Sequence, residues 1–406
     1  MLKRMAAQPH GNIQQLLVIS NGHGEDRVAM RILQVLRQDI PKLSVDALPI
    51  VGIGQSYGEQ TIPRLVKGKA LVSGGFWGRE FGRDLQEGFL DLTLQQIRAV
   101  RQWSLKDGAV LAVGDIVSLT LAWWSGLPYA FVGTAKSEFY RGSHPPYLRS
   151  SVYWPWERWL MTHKRCRGVF PRDRITATTL QRWSIPVFDC GNPMMDDLEP
   201  QSELPELPPG CKILLLPGSH APEVFRNWQL MISAIAGLDT TQQGYVFLGA
   251  IAPGIDQLPL QKILVQYGWS TQDNTARPYC QQHQNSLLLV PNGFRDCLSI
   301  ANIVLAMAGT ATEQAVGLGK PVITMPGHGP QFTAKFAAAQ AQLLGPSIYH
   351  IRTPEELPHM LSAIQEQCRQ PQIWLKNGRH RMGLPGASAK IAQALQQCLL
   401  NPSSSK

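Results

Sequence analysis

At 406 residues the chain is too long for one ordinary core, so two domains are expected. Charged residues make up only 17%, and 44% apolar residues with 36 Gly and 30 Pro suit an α/β protein with many tight turns and exclude a disordered chain. The 38 Lys and Arg exceed the 29 Asp and Glu, and this formal +9 either favours anionic partners (phosphorylated sugars, acidic lipid surfaces, nucleic acid) or is only solubilising charge.

The seven cysteines are scattered and form no C-x-x-C pair, which argues against a disulfide framework or a zinc site and fits a reducing compartment. The opening MLKRMAAQPHGN has basic residues but no apolar h-region, so no secretory signal is read there. Residues 16–20 read as the first strand, followed by Gly22-His23-Gly24-Glu25-Asp26 and a helix over 27–38 with Val28, Ile32, Val35 and Leu36 at apolar positions. A strand over 45–50 leads to the glycine turn Gly52-Ile53-Gly54. Residues 109–133 carry a single charge, Asp115, and would mislead a hydropathy scan. Gly114-Asp115, Ser125-Gly126 and Pro128 divide them into strand, helix and strand, so a buried βαβ unit is preferred to a membrane span. Strand-turn-helix material over 168–183 and a short strand over 187–189 follow.

The stretch 198–210, LEPQSELPELPPG, has no apolar period and reads as a linker. A second α/β pattern then begins with a strand over 212–216, the loop Pro217-Gly218-Ser219-His220 and a helix over 223–235. Strands over 245–248 and 287–290 come next. Residues 303–331 form the most informative segment: a strand over 303–306, the turn Gly309-Thr310-Ala311-Thr312, a helix with Glu313 in its first turn, a strand over 321–325, and a Gly/Pro loop ending at Gln331. A last helix over 387–399 precedes a frayed tail. The expected fold class is α/β, with doubly wound parallel sheets in both halves.

The second half offers two anion-binding turns, Pro217-Gly218-Ser219-His220 and the turn from Gly309 to Thr312, each at a strand's carboxyl end. Small side chains let a ligand approach the backbone, and the free N–H groups and dipole of a helix start favour phosphate. Gly and Ser after a strand are also ordinary turn and cap chemistry. Glu313 suits ribose hydroxyls, or equally the helix dipole. Gln331 suits a sugar contact, or a cap for the helix after it.

In the first half, His23 and two acids stand at a strand's carboxyl end, and a general base for a sugar hydroxyl would need such an imidazole or carboxylate in reach. Asp115 is a further candidate, although on sequence alone its stronger reading is the N-cap of the helix from Ile116. Gly52-Ile53-Gly54 followed by Gly58 misses the G-x-G-x-x-G spacing, so no dinucleotide site is expected. The segment over 147–167, YLRSSVYWPWERWLMTHKRCR, interleaves aromatics with cations. Trp154, Trp156, Trp159 and Leu160 suit a lipid interface with Arg158, Lys164, Arg165 and Arg167 at head groups, or else an amphipathic helix facing its core. Phe76-Trp77-Gly78-Arg79 and Phe81 add to the first reading. No nucleic-acid motif accompanies these residues, so no nucleic-acid partner is expected.

These residues together resemble a GT-B glycosyltransferase, and more narrowly the lipid-A-disaccharide synthase-related proteins of photosynthetic lineages. Ser20 to Asp26 stands where the synthases have a short Gly/Glu/Asp turn after the first strand, and Gly52-Ile53-Gly54 resembles their next glycine turn. Ser151-Val152-Tyr153-Trp154-Pro155-Trp156-Glu157-Arg158 is similar to their Ser-Val-Trp-Ala-Trp-Arg stretch. Phe170-Pro171 and Gly191-Asn192-Pro193-Met194-Met195-Asp196 resemble the end of their N-terminal domain. Leu216-Pro217-Gly218-Ser219 and Gly309-Thr310-Ala311-Thr312-Glu313 match their strongest donor-site motifs. His220 stands where the synthases have an Arg, Ala308 replaces their usual serine, and the N-terminal turn is shorter and carries His23.

The resemblance implies two Rossmann-like domains facing a cleft. An N-terminal acceptor domain over 1–197 would be joined by the 198–210 linker to a nucleotide-sugar domain over 211–386, with a C-terminal helical segment over 387–406 crossing back. It implies an inverting enzyme that moves a sugar from a UDP-sugar to a lipid or amphiphilic acceptor. Donor contacts would come from Gly218, Ser219, His220, Gly309, Thr310, Ala311, Thr312, Glu313, Gln314 and Gln331. The base would be Asp115, or His23 and Asp26 in the first turn. Trp154, Trp156, Arg158 and Trp159 would meet the acceptor or a membrane, with the protein cytoplasmic and peripheral to the inner face. Helix dipoles would hold the departing diphosphate, so neither metal nor cofactor is expected beyond the nucleotide-sugar substrate. A sugar-nucleotide epimerase and a non-catalytic nucleotide-sugar or lipid binder are the alternatives.

Overall fold

The computed structural model describes residues 13–66, 89–141, 151–238, 244–272, 279–327, 332–368 and 371–401. Two units emerge: Met1–Asp196 together with Pro385–Lys406, and Asp197–Leu384.

The first unit runs β1 (Gln15–Ser20), α1 (His23–Asp39), β2 (Ser44–Pro49), α2 (Gln55–Glu59), α3 (Phe89–Trp103), β3 (Ala109–Gly114), α4 (Ile116–Trp124), β4 (Tyr129–Gly133), α5 (Pro155–Thr162), β5 (Cys166–Pro171) and α6 (Arg174–Leu180). Its strands form one five-stranded parallel sheet in the order β2-β1-β3-β4-β5. They read as nearly unbroken apolar runs because helices cover both faces. On one face Val28, Ile32 and Leu36 of α1 pack with Ile391, Ala392 and Leu395 from the C-terminal end of the chain. On the other face lie Val100 and Trp103 of α3, Leu119 and Ala122 of α4, Leu160 and Met161 of α5, and Leu180 of α6. The apparent membrane span is thus β3, α4 and β4, and no helix among the described residues is long and apolar enough to cross a membrane.

Two expectations need correction here. α1 starts at His23, four residues early, because Gly22 serves as its N-cap and Glu25 and Asp26 favour the positive end of the helix dipole. Residues 187–189 form no strand; Val187 makes a single bridge to Val169 at the sheet edge.

The second unit runs β6 (Cys211–Leu216), α7 (Glu223–Ala236), β7 (Tyr245–Ile251), α8 (Gln257–Gln266), β8 (Ser270–Gln272), β9 (Tyr279–Gln282), β10 (Asn285–Pro291), α9 (Phe294–Ile300), β11 (Ile303–Ala306), α10 (Thr310–Gly317), β12 (Val322–Thr324), α11 (Ala334–Leu344), β13 (Ile348–His350), α12 (Leu357–Gln367) and α13 (Gln372–Met382). The eight strands are ordered β13-β12-β11-β6-β7-β10-β9-β8. All pair in parallel except β9 and β8, which make an antiparallel edge. The parallel expectation missed this edge because its turn carries no Gly or Asn. Gln282 pairs with Asn285, and His283 takes the left-handed conformation at φ 53 that such a tight turn requires.

Residues 197–210 contain no helix or strand, and Gln201 and Ser202 donate their N–H groups to Asp296 Oδ1 at 2.6 and 3.0 Å. The chain re-enters the first unit as α14 (Ala387–Leu395), whose first turn is held by Asp196. One oxygen of that carboxylate accepts from Gly386 N at 2.5 Å and Ala387 N at 3.2 Å, the other from Ser388 N at 2.7 Å.

Candidate active site

In the second unit β6 and β11 are parallel neighbours, with Leu216 beside Ala306. The chain winds outward from this pair in both directions, to β7 and β10 on one side and β12 and β13 on the other. Such a reversal opens a crevice at the strands' carboxyl ends. The two glycine turns expected to bind anions flank it.

The backbone entering the second turn touches the end of β6 and Gly218. Met307 N donates to Leu216 O at 2.9 Å, and a Cβ on Gly218, whose φ is +104, would stand 3.4 Å from Met307 O. Asn227 of α7 donates to Pro217 O at 2.9 Å. A Cβ on Gly327 would meet Asn227 Oδ1 at 2.9 Å and Met307 Cε at 3.0 Å, so the loop after β12 joins the same cluster. Glu223 accepts from Phe332 N at 2.9 Å and fastens the far side of that loop. Buried Gln340 donates to the carbonyls of Ala308 and Gly309, at 3.1 and 3.2 Å. These carbonyls are thereby engaged from below, while the first turn of α10 has no side-chain cap on its N–H groups.

Ser219 and His220 are exposed, with Ser219 Oγ 3.0 Å from His220 Nδ1. Thr310 is exposed, and Ala311 and Glu313 are half-buried in the first turn of α10. Two expected donor contacts face inward instead. Thr312 is fully buried and spends its hydroxyl on Ala308 O at 2.7 Å, which satisfies that hydroxyl inside the core, and Gln314 is buried too. Gln331 lies outside the described residues. Sequence reasoning did not single out Glu223, Asn227 or Gln340. The first two left a signal: polar residues at i and i+4 on the face of α7 that also carries Trp228 and Met231.

The first unit has the same reversal between β1 and β3. Asp115 leaves the end of β3 half-buried and caps α4 by accepting from Val117 N at 2.8 Å. Glu25 Oε1 accepts from Thr134 Oγ1 at 3.1 Å, and Thr134 N in turn donates to Gly114 O at 3.1 Å. Arg172 donates to Thr134 O at 3.0 Å, so the ends of β3, β4 and β5 and the start of α1 share one polar floor. His23 is exposed at the first position of α1.

Asp26 is not placed to reach an acceptor. It is buried and receives Ser20 Oγ–H at 2.6 Å, while Tyr57 Oη–H donates to Ser20 Oγ at 2.7 Å. Burial pushes its carboxyl up to about 7, against the lowering effect of the Ser20 hydrogen bond, and the Glu25 charge adds to the rise. The Tyr57 hydroxyl is raised well above its ordinary value, first by its own burial and then by the Asp26 charge.

Of the aromatic segment, Trp154, Trp156 and Trp159 are 40%, 56% and 56% exposed, so they do not face the core. Trp154 stacks on Trp156 at 5.1 Å, and Arg158 lies 4.2 Å over the Trp183 ring. Two members of the expected lipid-facing set are otherwise engaged. Leu160 is buried in the core, and Arg165 donates to Leu127 O and Trp123 O at 3.2 and 2.9 Å. Phe76, Trp77, Gly78, Arg79 and Phe81 lie outside the described residues. No group of three His, Cys, Asp or Glu among the described residues is arranged to hold a metal ion.

No protein-family model matches the chain, and no curated protein does. Solved structures do. MurG from Acinetobacter baumannii superposes with a TM-score of 0.57 at 16% identity, covering 95% of this chain and 99% of that one. CalG4, the calicheamicin glycosyltransferase, gives 0.57 at 13%, covering 95% and 99%. UDP-GlcNAc 2-epimerase from Neisseria meningitidis, bound to UDP-GlcNAc, gives 0.51 at 16%, covering 94% and 99%. The fold is therefore of the GT-B type, shared by glycosyltransferases and UDP-GlcNAc 2-epimerases.

Proposed function

We propose that this chain is an inverting glycosyltransferase that moves a sugar from a UDP-sugar to a lipid or amphiphilic acceptor, with a chemistry similar to that of lipid-A-disaccharide synthase. The observation that carries the reading is the approach of Gly218 to Met307, two residues before the Gly309 turn, at the carboxyl ends of β6 and β11, with Cβ-free backbone on one side and a helix start without a side-chain cap on the other. A diphosphate is the ligand that such paired amide donors suit. The fold neighbours, one bound to UDP-GlcNAc and another a glycosyltransferase, support a UDP-sugar as donor.

The diphosphate rests on Gly218, Ser219 and the main chain from Gly309 to Thr312, and Glu313 accepts from the ribose hydroxyls. Gln331 contacts the sugar. His220, paired with Ser219, offers a single imidazole donor in place of a guanidinium fork, which alters the grip on phosphate. On the acceptor side, Asp115 or His23 takes the proton of the attacking hydroxyl. The freed oxygen forms a bond to the anomeric carbon as the bond from that carbon to the diphosphate oxygen breaks, and the electron pair leaves with the diphosphate. The α10 dipole stabilises that departing charge. The exposed tryptophans of the first unit support an amphiphilic acceptor, met peripherally at the inner face of a membrane.

Steady-state kinetics with radiolabelled UDP-sugars and a lipid extract test the reading. Glu313→Ala is expected to raise the donor KM roughly 10- to 100-fold, the loss of one or two charge-assisted hydrogen bonds. An unchanged donor KM removes the donor site. Conversion of the UDP-sugar without any acceptor returns the epimerase reading.

A further inference from the structure

The loops after β6, β11 and β12 frame the donor crevice. Among their described residues, 217–220, 307–313 and 325–327, only His220 and Glu313 carry side chains that ionise. A nucleoside diphosphate gains a negative charge when its bond to the sugar breaks. The start of α10 answers it with a dipole equivalent to about half a positive charge, and neutral amides add hydrogen bonds but no charge. About half of the developing charge is therefore left for some other group. Glu313 has the wrong sign, which leaves His220 as the group of these loops that can meet it.

His220 faces solvent and not the core. It is exposed, and its ring is steadied by a neighbour: Ser219 Oγ lies 3.0 Å from Nδ1. Its carbonyl accepts from Val224 N at 2.9 Å, which ties its main chain to the first turn of α7. No described main-chain carbonyl accepts from the N–H groups of Gly218, Ser219 or His220, so these donors are open to an anion at the same turn. In an imidazolium both ring nitrogens donate. With Nδ1–H given to Ser219 Oγ, the serine hydroxyl can turn its own proton to that anion, and Nε2–H remains for it as well.

Other charges stand around this turn. α7 carries Glu223 and Arg226, α10 carries Glu313, and α11 carries Lys335 in a first turn whose Phe336 Cζ would stand 3.7 Å from a Cβ on Gly309. Glu223 is buried and accepts from Phe332 N, while Arg226 and Lys335 are exposed. Arginine and lysine strengthen the local field but do not release a proton near neutral pH, whereas an imidazole does.

We propose that His220, oriented by Ser219, is a catalytic acid that protonates the departing diphosphate. The proposal rests on the UDP-sugar transferase reading above and adds a proton donor to its donor side. As the anomeric carbon loses the diphosphate oxygen, Nε2–H passes its proton to the oxygen that carries the electron pair away. The imidazole is left neutral, with Nδ1–H still on Ser219, and regains a proton from water once the diphosphate has gone. An arginine at this position supplies charge but no proton. The histidine thus changes how the leaving group departs, not only how tightly it is held.

Two substitutions separate charge from proton transfer. His220→Asn removes both, and His220→Arg keeps the charge. In assays with UDP-sugars and the lipid extract, His220→Asn is expected to lower kcat about 100-fold or more. His220→Arg keeps a donor KM close to native with a similar loss of kcat. The native kcat falls on the alkaline side of neutrality as the imidazolium is lost, and neither variant shows that limb. Calorimetric titration of UDP near neutral pH, in two buffers of different ionisation heat, counts the protons taken up on binding without any need for transfer. The native chain takes up more than His220→Asn. Unchanged melting temperatures verify that the variants are folded. Turnover by His220→Arg equal to native, an alkaline limb that survives both substitutions, or equal proton uptake overturns the proposal. No transfer by the native chain beside His220-dependent proton uptake rejects the transferase reading alone, and a native chain that does not bind UDP rejects both.

Discussion

Asp26 and Asp115 both follow the ends of neighbouring strands, yet their surroundings separate their chemistry. Asp115 is half-buried with one oxygen on the start of α4. Asp26 is enclosed by Ser20, Tyr57 and the core of α1, and its carboxyl is held near neutral pH. A carboxyl at about 7 in the folded chain against 3.8 when free means that the folded state keeps an extra proton between those values. Stability from this group is present in full below 3.8 and is lost as pH rises through 7, by at most about 4 kcal/mol. Asp26→Asn keeps an oxygen for the Ser20 hydroxyl but does not ionise. Its melting temperature is therefore expected to exceed that of the native chain at pH 8 and to approach it at pH 4 to 5. Parallel melting curves for the two proteins across that range would show that Asp26 does not titrate in this way.

Among the elements, α14 depends on a residue far from it in sequence. Asp196 supplies an acceptor to each of the three N–H groups at the start of α14, where Gly386 offers no side chain for capping. The negative charge also faces the positive end of the helix dipole. Asp196→Ala leaves these donors without a partner and is expected to cost about 2 kcal/mol or more of the first unit's stability. Urea unfolding followed by tryptophan fluorescence measures it, and a loss below about 0.5 kcal/mol would mean that water replaces the carboxylate at no cost. The same logic explains why α1 starts where it does. A Gly N-cap and two acids in the first turn were visible in the sequence, but reading the five residues as a loop for catalysis obscured their capping role.

At the scale of the whole molecule, each unit has its own core. Trp228, Phe247 and Trp269 anchor the second, while the first divides its apolar residues between the two faces of its sheet. Calorimetry is expected to show two transitions, and saturating UDP should shift only the one belonging to the second unit. At a hundredfold excess over Kd the shift corresponds to about 2.7 kcal/mol. Equal displacement of both transitions, or of neither, speaks against a donor site confined to that unit.

Alternating apolar runs, Gly/Pro punctuation and amphipathic helices made the α/β class legible without coordinates, since these features depend on local periodicity alone. The glycine turns after β6 and β11 were legible for the same reason: small residues after a strand are a local signal. Their adjacency was not, because Gly218 comes beside Met307, at the entry to the Gly309 turn, only once the chain has wound outward through β7 and β10 and returned through β11. The inward turn of Thr312, the enclosure of Asp26 and the pooling of Trp123, Trp124 and Trp159 into one surface were equally hidden. Which side of a helix meets water, and which side chains from distant segments share a space, is settled by packing between elements and not by the order of residues within them.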